Sequence, residues 1–237
     1  MIADIHHHIV YGVDDGSKNR DMSIEMLKKA VENDVRGICC TTHVTPGHKP
    51  FPWKEYIAHI EELGAYIQKE NLPLALFPGC EILYTEHAAE MARRGEIPTL
   101  ANRRYVLVEF LPISDWVQVQ KAIREFANAG LQMVCAHVER YQCLHEDMDR
   151  LYEMHDEYGV ICQMNASTIL RSHGMFGDRW ARKALKAGLI DVAASDAHNT
   201  SDRACNMKEC RRILVKDYGE DKARELTEDM PYRILFE

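Results

Sequence analysis

The residues of this 237-residue chain best suited to chemistry are imidazoles and carboxylates that terminate short apolar runs. The first run, Ile2 to His8, ends in His6-His7-His8, and Asp14-Asp15-Gly16 follows in a loop. Strand side chains alternate between faces, so His6 and His8 point one way and His7 the other. Two imidazoles on one face serve a core badly and a metal ion well. The carboxylates of Asp14 and Asp15 are placed to fold back over the same site, with Asp15 counted as a donor; Asp14 has no assigned role of its own, and His7 is excluded from the ligand set.

The same ending recurs along the chain. His43 follows the run 37–42, Glu81 follows 74–77 through Pro78-Gly79, Glu109 follows 105–108, His137 follows 133–136, and Asp196 with His198 follows 190–194. One histidine at a strand end is ordinarily structural. A full set on one edge is a donor cluster, with no thiolate among the candidates. It exceeds the four ligands of a closed zinc site. If a carboxylate bridges, it holds two or three ions, and its mixed shell suits Mn, Fe or Zn. Clustered divalent ions activate water and clamp the attacking and leaving oxygens of an in-line displacement, which points to phosphoester hydrolysis. Arg140 and Arg203 lie on the loops just beyond His137 and His198, where each can fork a pair of phosphate oxygens. Asn165, at a further strand end, either supports the ligands or bonds to backbone.

The elements that must position these residues are short apolar runs alternating with amphipathic stretches. Helices are expected at about 54–70, 87–93, 117–129, 148–158, 180–186, 207–218 and 222–226, with another around Met26 to Val31. That alternation predicts an α/β fold with a largely parallel sheet or barrel, and a barrel places its site at the C-terminal strand ends. No Pro/Gly/Ser-rich linker divides the chain, so residues 1–237 are read as one domain. An apolar fraction of 46% supports a sizeable core. The net charge of -8 argues against a nucleic-acid partner but not against a phosphorylated one, because bound cations invert the local field. No run is long enough to span a membrane and no signal peptide opens the chain. Cys39, Cys40, Cys135 and Cys162 sit in apolar runs as small hydrophobes rather than in a disulfide framework. A cytoplasmic protein is expected; its oligomeric state is not legible.

Three motifs carry a family resemblance: His6-x-His8 with Val13-Asp14-Asp15-Gly16, His137-Val-Glu-Arg140-Tyr141, and Ser195-Asp196-Ala-His198-Asn199. Together they resemble the PHP (polymerase and histidinol phosphatase) superfamily, and more narrowly its bacterial protein-tyrosine phosphatases encoded with capsule and exopolysaccharide genes. The resemblance implies a distorted TIM-like (β/α)7 barrel, the PHP fold, and three divalent metal ions, usually manganese. It implies one ion on His6, His8, Glu81 and Asp196, a second on Glu81, Glu109 and His137, and a third on Asp15, His43 and His198. Arg140 and Arg203 match substrate-phosphate arginines. The implied substrate is the phosphotyrosine tail of a bacterial tyrosine kinase controlling polysaccharide export. The alternatives are a PHP phosphatase of a small phosphomonoester such as histidinol phosphate, or a non-catalytic metal-binding regulatory module. The loop 44–53, with His48, Lys49, Phe51 and Trp53, reads equally as a phosphotyrosine pocket or as a stiff rim over the barrel. Cys205 and Arg211 have the Cys-x5-Arg spacing of thiol-dependent tyrosine phosphatases. The residues between them lack glycine and suit a helix, so no thiolate mechanism is expected.

Overall fold

In the computed structural model, which describes residues 1–173 and 178–237, seven strands form one parallel sheet in chain order. They are β1 (Ile2–His7), β2 (Val35–Val44), β3 (Ala75–Leu83), β4 (Tyr105–Glu109), β5 (Gln132–Cys135), β6 (Ile161–Asn165) and β7 (Val192–Ala194). The sheet closes on itself where β7 meets β1. His8 N–H donates to Ala197 C=O at 2.9 Å, and Asp196 N–H donates to His6 C=O at 2.9 Å. The result is the distorted (β/α)7 barrel that the family resemblance implied, within the parallel sheet or barrel expected from the alternation. His43 and Glu81 lie inside β2 and β3 rather than just beyond them, since those two strands run on past the expected ends.

Two apolar layers hold the barrel. Parallel strands are covered on both faces, which is why they read as unbroken apolar runs. The outer layer packs strands against helices such as Arg20–Glu32, whose Met26, Leu27 and Ala30 are fully buried. The inner layer includes Ile5, Leu107, Val134 and Val192, and is closed from below by Ile234 and Leu235. These last two belong to a terminal helix, Met230–Phe236, that the sequence reading did not anticipate. Helix Glu220–Arg224 continues through a π turn at Glu225–Asp229 into it. Another π turn, Glu153–Glu157, follows the short helix Asp149–Tyr152 where a single helix was expected. Cap residues fix several helix starts: Asn19, Asp115 and Asp178 each accept from an N–H three residues on.

Strict alternation fails at one decisive point. Ala3 and Ile5 face the inner layer, so an unbroken strand would send His7 inward beside them. Between Asp4 and His7, β1 advances three residues while its partner β2 advances only from Ile38 to Cys40. This extra residue is a β-bulge, and it re-aims the strand end so that His6 and His8, not His7, join the cluster.

Candidate metal centre

The donor atoms converge at the C-terminal edge of the barrel. Three groups, each with donor atoms within 4.8 Å of one another, are His6/His8/Glu81/Asp196, His8/Asp15/His43/His198 and His43/Glu81/Glu109. Glu81 is central: its Oε2 lies 3.0 Å from His6 Nε2, 3.2 Å from His8 Nε2 and 3.1 Å from His43 Nδ1. The sequence grouping placed His137 with Glu81 and Glu109. His137 Nε2 is 2.9 Å from Glu81 Oε1 and 3.6 Å from Glu109 Oε2, with His43 Nδ1 approaching the same pair of carboxylates. Asp15 is largely exposed and reaches both His43 Nε2 (3.4 Å) and His198 Nε2 (3.5 Å). Its loop can fold back because position 16 is glycine: a Cβ there would sit 2.3 Å from the His8 carbonyl oxygen.

Three imidazoles are clamped from behind. His6 Nδ1 faces Gln163 Oε1 at 3.1 Å, His8 Nδ1 faces Asp14 Oδ2 at 2.8 Å, and His198 Nδ1 faces the Asp196 carbonyl at 2.9 Å. Each partner is an acceptor, so each ring carries its proton on Nδ1 and turns the Nε2 lone pair inward. Those three Nε2 atoms and Glu81 Oε2 are buried and make no hydrogen bond. Buried polar atoms are otherwise almost always satisfied. Lone pairs and a carboxylate oxygen converging without protons between them fit divalent cations.

The local field agrees. Burial works against an imidazolium at His6, yet the charges of Glu81 and Asp196 outweigh it and push its pKa up to about 10. Burial likewise opposes charge on Glu81, but the charge of neighbouring His6 and the hydrogen bond with His137 hold its pKa well below the usual range. A site that favours positive charge against full desolvation favours a cation between its carboxylates. His7 lies outside all three groups. Burial and the nearby His8, His198 and His6 push its pKa down to about 3, so its ring is neutral.

Strain accompanies the convergence. His137 (φ 32°) and Asp196 (φ 53°) both occupy the left-handed region, which side chains other than glycine rarely adopt. Gln163 Oε1 holds the first by accepting from His137 N–H at 2.9 Å. The second is held by the His6 carbonyl. Asp196 then divides its oxygens. Oδ1 faces His6 Nε2 (3.4 Å) and His8 Nε2 (3.6 Å), while Oδ2 accepts from Arg140 Nη2 (2.6 Å) and Asn165 Nδ2 (2.9 Å). Arg203 Nη2 reaches both oxygens, at 3.1 and 3.2 Å. The two guanidinium groups are 42% and 38% exposed, leaving donors free toward a cavity of about 330 Å³ that both line.

Two supporting residues escaped the sequence reading. Asp14, left without a role, orients His8 and accepts from the His43 and Gly16 N–H groups. Gln163 was missed, although a glutamine inside the apolar run Ile161 to Met164 was a visible signal. Asn165 bonds to a side chain of the cluster, donating from Nδ2 to Asp196 Oδ2. In the loop 44–53, Phe51 turns inward against Trp53 and Tyr56 (centroids 4.9 Å from each). His48 and Lys49 line a depression with His43. Cys205 is buried and its thiol pKa is pushed far up, chiefly by burial. Arg211 is held by Glu220 and Glu228, within the helix Met207–Tyr218. The thiol motif is therefore a coincidence of spacing.

Fold and site together define a (β/α)7 barrel protein with a histidine–carboxylate cluster able to hold metal. A family model for capsular polysaccharide synthesis proteins, CpsB/CapC, matches residues 2–236, and the chain belongs to that family. It is 33% identical over 242 residues to the tyrosine-protein phosphatase CpsB of Streptococcus pneumoniae, covering 100% of this chain and 99% of that protein. A structure solved in a study of YwqE from Bacillus subtilis and CpsB from Streptococcus pneumoniae, described as unique metal-dependent tyrosine phosphatases, superposes with a TM-score of 0.88. The identity there is 27%, over 99% of this chain and 94% of the other. A histidinol phosphate phosphatase from Lactococcus lactis, at 12% identity, TM-score 0.56 and 92% and 94% coverage, shares the fold.

Proposed function

We infer that this chain is a metal-dependent protein-tyrosine phosphatase of capsular polysaccharide synthesis. The observation that carries the reading is the convergence of unsatisfied Nε2 atoms on Glu81, with Arg140 and Arg203 held beside them on Asp196. In this reading three divalent ions, manganese by preference, are held by His6, His8, Asp15, His43, Glu81, Glu109, His137, Asp196 and His198. When bound, such ions supply Lewis acidity and an acidified water at neutral pH. The chain's own residues do the rest. Asp14, Gln163 and the Asp196 carbonyl lock the imidazoles, and the bulge in β1 aims two of them. Arg140 and Arg203 receive the phosphoryl oxygens and neutralise charge that grows during displacement.

The proposed substrate is the phosphotyrosine tail of a tyrosine kinase in the cytoplasm. Among the described residues no helix is long and apolar enough to cross a membrane. Phosphotyrosine peptide and histidinol phosphate, assayed side by side with Mn²⁺, test the substrate. A strong preference for the peptide is expected, and the reverse preference would sink the assignment. Arg140→Ala is expected to lower kcat roughly a hundredfold with metal content unchanged, the scale on which one electrostatic donor acts. Wild-type turnover in that variant would reduce Arg140 to a surface residue.

A further inference from the structure

Helix Arg179–Ala187 has a face the phosphatase site does not account for. Ala181, Ala184 and Leu185 bury its inner side, and Trp180 Nε1–H anchors it to the Leu144 carbonyl at 3.1 Å. The outer side carries Arg179, Arg182, Lys183 and Lys186, at spacings that share one helical face. With Ala187 they line a shallow depression that contains no carboxylate. Some other helical cations of this acidic chain are neutralised locally, as Arg93 and Arg94 are by Glu90 and Arg212 by Glu209. Among the described residues, Arg179, Lys183 and Lys186 have no ion pair. Like charges at this spacing destabilise a helix, so Arg179, Lys183 and Lys186 repel one another along the face.

The face is also continuous with the site. Asp178, the cap of this helix, lines the same cavity as Arg140, Arg171 and Arg203. The helix therefore begins at the rim of the cavity that Arg140, Arg171 and Arg203 line together with Glu139, Asp196 and Asp202. Its nine residues extend about 14 Å, which matches roughly four residues of extended peptide. None of the exposed large apolar side chains lies on this helix, so it lacks the wedge that a lipid-inserting surface needs.

Resting on the phosphatase reading, we propose that this cationic face docks an acidic segment flanking the phosphotyrosine of a polypeptide substrate. The site alone would accept any aryl phosphate; the helix selects those carried on acidic chains and speeds their capture. Complementary charge acts mainly on encounter and is screened by salt.

The test uses two phosphotyrosine peptides identical except that acidic residues on both flanks of one become amides in the other. The small substrate p-nitrophenyl phosphate serves as reference. The wild-type enzyme is expected to favour the acidic peptide in kcat/KM by about tenfold at low ionic strength, with the preference fading as salt rises. Arg179→Glu/Lys183→Glu/Lys186→Glu should erase that preference while p-nitrophenyl phosphate turnover stays unchanged. The alanine triple variant should reduce it, and serves if charge reversal impairs folding. Equal kcat/KM for the two peptides in wild type, or a preference that survives the triple variants, overturns the proposal. So does wild-type binding to phosphatidylserine vesicles, lost in the triple variants, with no peptide preference. Failure of the wild type to hydrolyse p-nitrophenyl phosphate would instead overturn the phosphatase reading beneath it.

Discussion

Dialysis against a chelator abolishes hydrolysis of a phosphotyrosine peptide, and added Mn²⁺ restores it as the metal content approaches three ions per chain. The expectation rests on what the residues do to one another. His6, His8 and Glu81 are fully or almost fully buried, and Asp196 nearly so. A buried carboxylate without compensation costs several kcal/mol. Here two of them lie against rings whose outward nitrogens are already committed to acceptors. A cation between the lone pairs and the carboxylates is the charge that makes this arrangement favourable. Elemental analysis of the dialysed and reloaded protein, read beside turnover, checks the outcome. Turnover that persists in metal-free dialysate would remove the metal from the chemistry, and restoration by Zn²⁺ or Fe²⁺ alone would move the assignment away from manganese.

Much of this site could be read from residue types, because metal ligands belong to few kinds and strand ends fall at a barrel's edge. His43, Glu81, Glu109 and His137 each follow an apolar run, and all reach one cluster. What could not be read was decided by geometry that leaves little trace in sequence. The bulge in β1 is one case: alternation correctly paired His6 with His8, but could not say that Ile5 would share their side. The pairing of ligands into groups is another. It depends on barrel closure and on left-handed turns at His137 and Asp196, neither of which residue spacing encodes. Asp14 failed to stand out because two adjacent aspartates look interchangeable until a fold turns one inward and leaves the other exposed. The terminal helix was missed for a different reason. Pro231 ordinarily ends or kinks a helix, yet here it follows directly on the π turn Glu225–Asp229 and the chain stays helical through it.

Gln163→Leu weakens Mn²⁺ binding by about ten- to a hundredfold, the scale on which residues behind a metal ligand act. Gln163 is fully buried and connects three strand ends. Its Oε1 accepts from His6 Nδ1 and from the strained His137 N–H; its Nε2 donates to Asn165 Oδ1 at 2.8 Å, and Asn165 in turn holds Asp196. Leucine has a similar volume and no acceptor, so packing survives while His6 loses the bond that fixes its tautomer. The His137 N–H would then be buried without a partner, at a cost of about 1–3 kcal/mol. Two further readouts separate positioning from plain destabilisation. Nitrogen-15 chemical shifts of His6 should show the Nδ1–H tautomer in wild type and a mixture in the leucine variant. Gln163→Glu should recover most of the tautomer preference, because a carboxylate still accepts from both donors, yet lose the link to Asn165, which needs a donor. If metal affinity falls equally in the leucine and glutamate variants while the His6 tautomer stays unchanged, Gln163 serves only packing.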